Sequence, residues 1–406
     1  GRGGGCGAGS MVSKIQVMEN CFVFVVCGGK EHLETLHFSL EYLLKRTSNE
    51  VFVLTDTSRN EIPINHSILI DVKCPEHYDH HQASIYLKTG IHQFLPKGNR
   101  YCYLDTDVVA IGDHVDDIFS AYLSPVTFAP DHCVVNEFSA YAVNCACLNK
   151  WESNWDRYHR AFEELNQNKS IPKENISKQK DLRNIFQEMK GNYLKMFIQF
   201  FRYLISYPVF HLNDEFYFNR KTRLWSHVKL GPVLHETPNK EIAKRSGLRY
   251  HSLTKKWSDE HGDPLWNPTC THLISNLNDK FKVHVSKERW QHWNGGVFLF
   301  DDESHEFLQT WHEWTLACFE DSSFKTRDQG TLIATVWYFG LQNHPTLSKK
   351  WNLLADYHSE KLRFHDEEEG FSWIGEKEIV FPEFVHVYHH WQDDQWEVWN
   401  WLLGKK

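Results

Sequence analysis

No run of eighteen or more apolar residues occurs in this 406-residue chain, which excludes an encoded membrane-spanning helix. A basic block is also missing. With a net charge of −9, the chain has no electrostatic footprint for nucleic acid, and any phosphate it binds needs a metal or a few local cations. Nor is there a disulfide framework. The ten cysteines, at 6, 21, 27, 74, 102, 133, 145, 147, 270 and 318, are scattered, and several fall inside apolar runs. That pattern is expected of a reduced, cytoplasmic protein. Cys145-Ala146-Cys147 lacks a second Cys/His pair at zinc-like spacing and reads as buried small residues. Without a signal sequence, the Asn-x-Ser sequons at Asn65, Asn168 and Asn175 read as chance. Gly1 to Ser10, rich in glycine ahead of Met11, reads as an appended leader outside the fold.

What is present is enough for a full core. At 41% hydrophobic content the length suits one large α/β domain with an insertion, or two domains sharing a crevice. Aromatics reach 15%, with 16 Trp, and many lie near His, Asp and Asn in ways that suit stacking on sugars or bases, although for any single Trp packing is the better explanation. Cys21 to Val26 reads as a buried strand and Cys27-Gly28-Gly29-Lys30 as the turn after it. A helix follows near 32–46, with Leu33, Leu36, Leu40, Leu43 and Leu44 at helical spacing. Val51 to Asp56 and Ser67 to Val72 are the next strands, and a helix over Ala83 to Phe94 leads to a fourth. This alternation predicts a parallel sheet with helices on its faces.

That fourth strand carries the most informative feature. Tyr101-Cys102-Tyr103-Leu104 is an apolar run ending on Asp105-Thr106-Asp107, with Val108-Val109 behind. A strand stopping at Leu104 delivers two carboxylates at its carboxyl end, where open α/β sheets keep their ligand crevice. In an extended strand, residues two apart face the same side, so both acids can hold one hard cation against a diphosphate. The plain alternative is two acids capping a strand near Gly112.

Past Ile111 the rhythm loosens. Ser124 to Ala129 reads as a strand, and 151–290 as an insertion or lid without βαβ alternation. Within it, Asn192 to Tyr207 is apolar on most sides, carrying only Lys195 and Arg202. A packed helix is the expectation, with membrane-surface or partner contact as the alternative. The sheet rhythm resumes at Trp293-Asn294-Gly295-Gly296-Val297, where glycine permits close backbone approach to a ligand. A helix over Ser304 to Phe319 follows, then Arg327-Asp328-Gln329-Gly330 opens another, and Phe384-Val385-His386-Val387 is a short strand breaking into a His/Trp-rich loop.

These pieces, in this order, resemble the glycogenin-like and lipopolysaccharide-galactosyltransferase-like branch (glycosyltransferase family 8) of the retaining GT-A glycosyltransferases. The resemblance covers 20–130 and 290–392. That family runs Asp-x-Asp, Phe-Asn-Ala-Gly-Val, Asp-Gln-Asp before a helix, then a late His. The counterparts here are Asp105-Thr106-Asp107, Trp293-Asn294-Gly295-Gly296-Val297, Asp328-Gln329-Gly330 and His386. The implied fold is a GT-A type, Rossmann-like mixed sheet flanked by helices, with a long, mostly helical insertion. The implied domains are a nucleotide-sugar-binding half at 11–150, the insertion at 151–290 and an acceptor-side half at 291–406.

The resemblance implies that Asp105, Asp107 and His386 bind a divalent cation, Mn²⁺ with Mg²⁺ as the alternative; two carboxylates and an imidazole suit it chemically. It also implies that Cys27, Gly28, Asp56, Lys88 and Thr106 face the donor, a UDP-sugar, that Asn294 and Gly295 line the sugar site, and that Asp328 and Gln329 reach the sugar near its anomeric carbon. The acceptor, whether glycan, lipid-linked glycan or protein, is left open, and peripheral membrane contact remains compatible. The departures are Gly330 where the family has a second Asp, Gly295 in place of Ala, and Val387-Tyr388-His389-His390-Trp391 where a Lys-Pro-Trp usually touches the diphosphate. His389 or His390 could stand in for that lysine, with pH-dependent charge. Two rival functions are a non-catalytic nucleotide-sugar-binding protein on a degenerate GT-A fold, and a haloacid-dehalogenase-like phosphatase using Asp105 and Asp107. The second normally opens its domain with this motif, whereas here some ninety residues precede it.

Overall fold

The computed structural model describes residues 18–406 except 168–170, 191, 266–267, 326, 357–361, 374–375, 377 and 388. The leader Gly1–Ser10, the sequon at Asn168 and Tyr388 lie outside the described residues. The chain divides into two compact units, residues 1–144 with 271–406, and Cys145–Cys270.

The larger unit begins with β1 (Asn20–Val25), whose five residues after Asn20 are all buried, as befits a strand covered on both faces. Helix α1 (Lys30–Leu44) lays Leu33, Leu36, Leu40 and Leu43 on the core at helical spacing. Strands β2 (Glu50–Thr55) and β3 (Leu69–Asp71) follow. Helix α2 (His80–Thr89) starts at an Asp79 cap, the Asp79 carboxylate accepting from the Gln82 amide while Gln82 returns the bond. Next come β4 (Arg100–Leu104), β5 (Val108–Ala110), β6 (Thr127–Val134) and α3 (Val135–Ala142).

The inserted unit holds α4 (Cys147–Asn166), α5 (Ile176–Lys190) and α6 (Tyr193–Ile205), then β7 (Val209–His211), β8 (Phe216–Asn219), β9 (Leu224–His227) and β10 (Gly231–His235), and finally α7 (Asn239–Ser246), β11 (Arg249–His251) and β12 (Lys256–Ser258). Alongside the expected helices it therefore carries a four-stranded sheet in the order β10-β9-β8-β7 and a two-stranded β11-β12 ribbon. Phe216 and Phe218 point into a core with Leu182, Phe210, Trp225 and Val233, an alternation too short to stand out in the sequence. Helix α6 departs from the packed helix expected there. It buries no residue, because α5 already covers the sheet and α6 adds only Tyr203. Phe197, Phe200, Phe201, Leu204 and Ile205 are left at least half exposed.

The chain then returns to the larger unit through α8 (His272–Phe281), β13 (Gln291–Phe300), α9 (His305–Ala317), α10 (Arg327–Tyr338), β14 (Leu353–Leu354), β15 (Leu362–His365), β16 (Gly370–Trp373), β17 (Phe384–His386) and α11 (Glu397–Gly404). The central sheet is mixed, in the order β3-β2-β1-β4-β13-β6. Strands β3, β2, β1 and β4 run parallel, and β13 is antiparallel to both β4 and β6. This is the helix-flanked mixed α/β sheet expected from the sequence. A second, three-stranded sheet, β14-β17-β5, branches off where β4 ends. Among the described residues no helix is long and apolar enough to cross a membrane.

Candidate metal centre

Three backbone pairings bring the acidic couplet and the late histidine together. Leu104 of β4 pairs with Val297 of β13, and the Asp105 amide donates to the Gly296 carbonyl at 2.8 Å. On the other side, Val108 of β5 pairs with His386 of β17, and the Val387 amide donates to the Asp107 carbonyl at 2.9 Å. Asp105-Thr106-Asp107 is a tight turn between two sheets, closed by the Val108 amide on the Asp105 carbonyl at 3.0 Å. That corrects the sequence reading: the acids converge because the chain turns, not because they alternate along one extended strand.

The ligand atoms of Asp105, Asp107 and His386 all lie within 4.8 Å of one another. Two hard carboxylates and one imidazole suit a divalent cation with positions left open for a phosphate. His386 is buried, its Nε2 3.3 Å from Asp107 Oδ1 and its Nδ1 3.1 Å from Asn352 Oδ1. Burial is the largest single influence and raises a carboxyl and lowers an imidazole, but the charges and hydrogen bonds around the pair, the Asp107–His386 attraction foremost, together overcome it. The Asp107 carboxyl is held below its ordinary value and the His386 imidazole above its own. Without an ion the negative charge around Nε2 favours a proton there, which a bound cation would displace.

Lys88, near the end of α2, reaches Asp105 Oδ1 at 3.1 Å and Asp328 Oδ2 at 3.6 Å. Burial works against its charge, yet Asp105 first and Asp328 second hold the ammonium above its usual range. The Tyr103 hydroxyl donates to Asp105 from below. A cavity of about 350 Å³ opens beside the centre, with Thr106 and Asp107 on one side, Glu31, His32 and Thr35 of α1 on another, and Val387 and Trp391 completing its lining. A second cavity, about 270 Å³, lies at the opposite end of β4 around Tyr101, Phe300 and His305, away from the acids.

The other residues singled out in the sequence are placed as follows. Asp56 is 2% exposed, and its carboxylate is spent inside its own loop on the amides of Ser58 and Cys74, the Ser58 hydroxyl and Arg59 Nε. The resemblance puts Asp56 near the nucleoside; the bonds its carboxylate makes here organise the loop that would lie there. Cys27 is buried against Ser84, and Gly28 adopts φ +105° with no room for a Cβ beside the His80 ring. Gln329 accepts from the Gly295 amide at 3.3 Å and donates to the Trp293 carbonyl, so its amide clamps β13. Asn294 is similarly engaged: Oδ1 accepts from the Gly296 amide and from Asn352, and Nδ2 donates to Asp131. His389 is exposed, and His390 turns to Asp393 at 3.0 Å.

Sequence reasoning missed Asp131 and Asn352, and placed Gly296 in the Asn-Gly-Gly turn without naming what it packs against. The first two form a relay, Asp131 to Asn294 to Asn352 to His386, with contacts of 2.9, 3.0 and 3.1 Å. By accepting from Nδ1–H, Asn352 fixes the tautomer that leaves Nε2 unprotonated for a cation. Replacing Asn352 with Leu is expected to weaken Mn²⁺ binding by about 10–100-fold, read by titrating free Mn²⁺ with electron paramagnetic resonance. Unchanged affinity would mean that the ring is oriented by something else.

No family model matches the chain, and no curated protein does. Among solved structures it is similar to mouse xyloside xylosyltransferase 1 in its apo form, at 12% identity over 91% of this chain and 98% of that one, with a TM-score of 0.38. It is also similar to the glycosyltransferase GlyE of Streptococcus pneumoniae, at 19% identity over 28% and 29% of the two chains, TM-score 0.21. A third is the galactosyltransferase LgtC with donor and acceptor sugar analogues bound, at 16% identity over 27% and 46%, TM-score 0.21. Overlaps this loose carry no activity across to this chain.

Proposed function

We propose that this chain is a metal-dependent glycosyltransferase of the GT-A kind, moving a sugar from a nucleotide sugar to an acceptor, with retention. The observation that supports it is the convergence of Asp105, Asp107 and His386, with Lys88 beside them, at the carboxyl end of the central parallel strands. The family 8 resemblance in the sequence favours a UDP-sugar donor and Mn²⁺ over Mg²⁺. It also favours a donor half within 11–150 and an acceptor side within 291–406. The scattered cysteines favour a reduced, cytoplasmic setting.

Asp105, Asp107 and His386 would hold the cation, which supplies Lewis-acid charge to a departing diphosphate. Lys88 adds a fixed positive charge on the same side, in a partly buried place where it counts for more than in water. Asp328, 3.6 Å from that ammonium, is the carboxylate best placed to face positive charge developing on a sugar. Gln329, Asn294 and Asp56 are positioning residues, since their polar atoms hold neighbouring backbone and side chains. His389 and Thr106 border the donor side without a charge of the strength that a lysine would bring.

The test is a thermal-shift panel of nucleotide sugars with and without Mn²⁺, followed by donor hydrolysis. A UDP-sugar should stabilise the chain only when Mn²⁺ is present, by about 2.7 kcal/mol at a hundredfold excess over its Kd. Slow Mn²⁺-dependent release of UDP should follow. Stabilisation without any release would leave a binding protein on a degenerate fold. Phosphate release from a generic ester, with no nucleotide effect, would replace the transferase by a phosphatase.

A further inference from the structure

The first and last residues of the inserted unit carry a cluster that the metal centre does not use. Cys145, Cys147 and Cys270 are partly buried, none is in a disulfide, and their three sulfurs lie within 4.8 Å of one another. The sequence alone makes Cys145-Ala146-Cys147 look unaccompanied. Its partner Cys270 comes only after the whole inserted unit has been threaded. Two residues further along the chain, Cys270-Thr271-His272 offers an imidazole at ligand spacing.

We propose that Cys145, Cys147 and Cys270 bind a structural Zn²⁺ that ties together the two ends of the inserted unit, a fourth ligand completing the set. Three thiolates with one further ligand form a closed tetrahedral zinc set. At a Zn–S distance of about 2.3 Å, tetrahedral sulfurs stand roughly 3.8 Å apart, which the observed cluster accommodates with small adjustment. Soft thiolates select against Mn²⁺ and Mg²⁺, so this site and the acidic one would not compete for metal. A disulfide explains the cluster less well, because pairing any two of three sulfurs leaves one over. The energetic gain is loop closure. Joining Cys145 to Cys270 removes the freedom of a long chain segment, and the binding energy of a structural zinc becomes folding energy for that unit.

The test uses the full chain, purified under reducing conditions with a tag that contains no histidine and no chelator in the buffers. Elemental analysis should find about one zinc per chain. Cobalt substitution should give the intense thiolate charge-transfer and tetrahedral ligand-field bands that a carboxylate site does not produce, a reading that needs no variant. The Asp105→Ala/Asp107→Ala variant should keep its zinc, which separates this site from the metal centre. Cys147→Ser and Cys270→Ser should each lose most of it. Zinc below roughly a tenth of an equivalent after growth in zinc-supplemented medium, with no cobalt thiolate band, would overturn the proposal. So would retention of full zinc by both serine variants, or a Cys145–Cys270 or Cys147–Cys270 disulfide in the native protein's peptide map.

Discussion

The Asp107→Ala variant is expected to lose Mn²⁺-dependent stabilisation by UDP and to drop in donor turnover by on the order of a thousandfold or more. Two effects add. One carboxylate leaves a centre that has only two, and His386 loses the partner that does most to offset its burial. The fold is expected to survive. The bonds that build the centre run through backbone, from the Val387 amide to the Asp107 carbonyl and from the Val108 amide to the Asp105 carbonyl, and a side-chain deletion spares both. The side chain is also partly exposed, so alanine leaves no sealed cavity. A folded Asp107→Ala protein with normal Mn²⁺-dependent UDP binding would therefore mean that the acids do not hold the metal, and the proposed function would fall with them.

The central sheet was legible because β1, β2 and β4 are near-continuous apolar runs, the mark of parallel strands covered on both faces, and because α1 repeats leucine at three and four residues. Of the sheet that completes the centre only β17 was legible, read as Phe384 to Val387 and observed as Phe384–His386. Strands β5 and β14 are three and two residues long, too short for any periodicity to register, and the pairing of His386 with Val108 has no local signature. His386 came into view only through the family resemblance. The strand's end at Leu104 was legible, but the turn through the acids was not, and only the pairing of Val108 to a different sheet shows it. Asp131 and Asn352 belong to no motif. Their role depends on a hydrogen-bonded relay among side chains far apart in the chain. Helix α6 misled for the converse reason: an apolar sequence says that burial is favourable, not that a neighbour is available to provide it.

Gly296→Ala is expected to strike the metal centre directly, because the added methyl group meets two of its ligands. A Cβ at Gly296 would lie 2.5 Å from His386 Cε1, 2.8 Å from Asn294 Oδ1 and 3.0 Å from Asp105 Oδ2, closer than side-chain carbons approach such atoms. None of the three can yield cheaply. His386 is buried and held by Asn352, Asn294 is bonded on both ends of its amide, and Asp105 is held by Lys88 and Tyr103. Overpacking of this kind costs about 1–3 kcal/mol, so the chain should still fold with a lowered Tm. The strain falls on the ligands, and Mn²⁺ affinity should fall by about 10–100-fold or more, with turnover following. The neighbouring Gly295→Ala is the internal control. Its Cβ would meet Gln329 Oε1 at 3.3 Å and Lys88 Nζ at 3.4 Å, a tight fit against flexible side-chain ends, and its effect on Mn²⁺ affinity should be several-fold smaller. The two variants titrated side by side give a ranking that only this geometry demands. Equal and mild effects would mean that the imidazole does not sit against the Asn-Gly-Gly strand, and that the cation is held elsewhere.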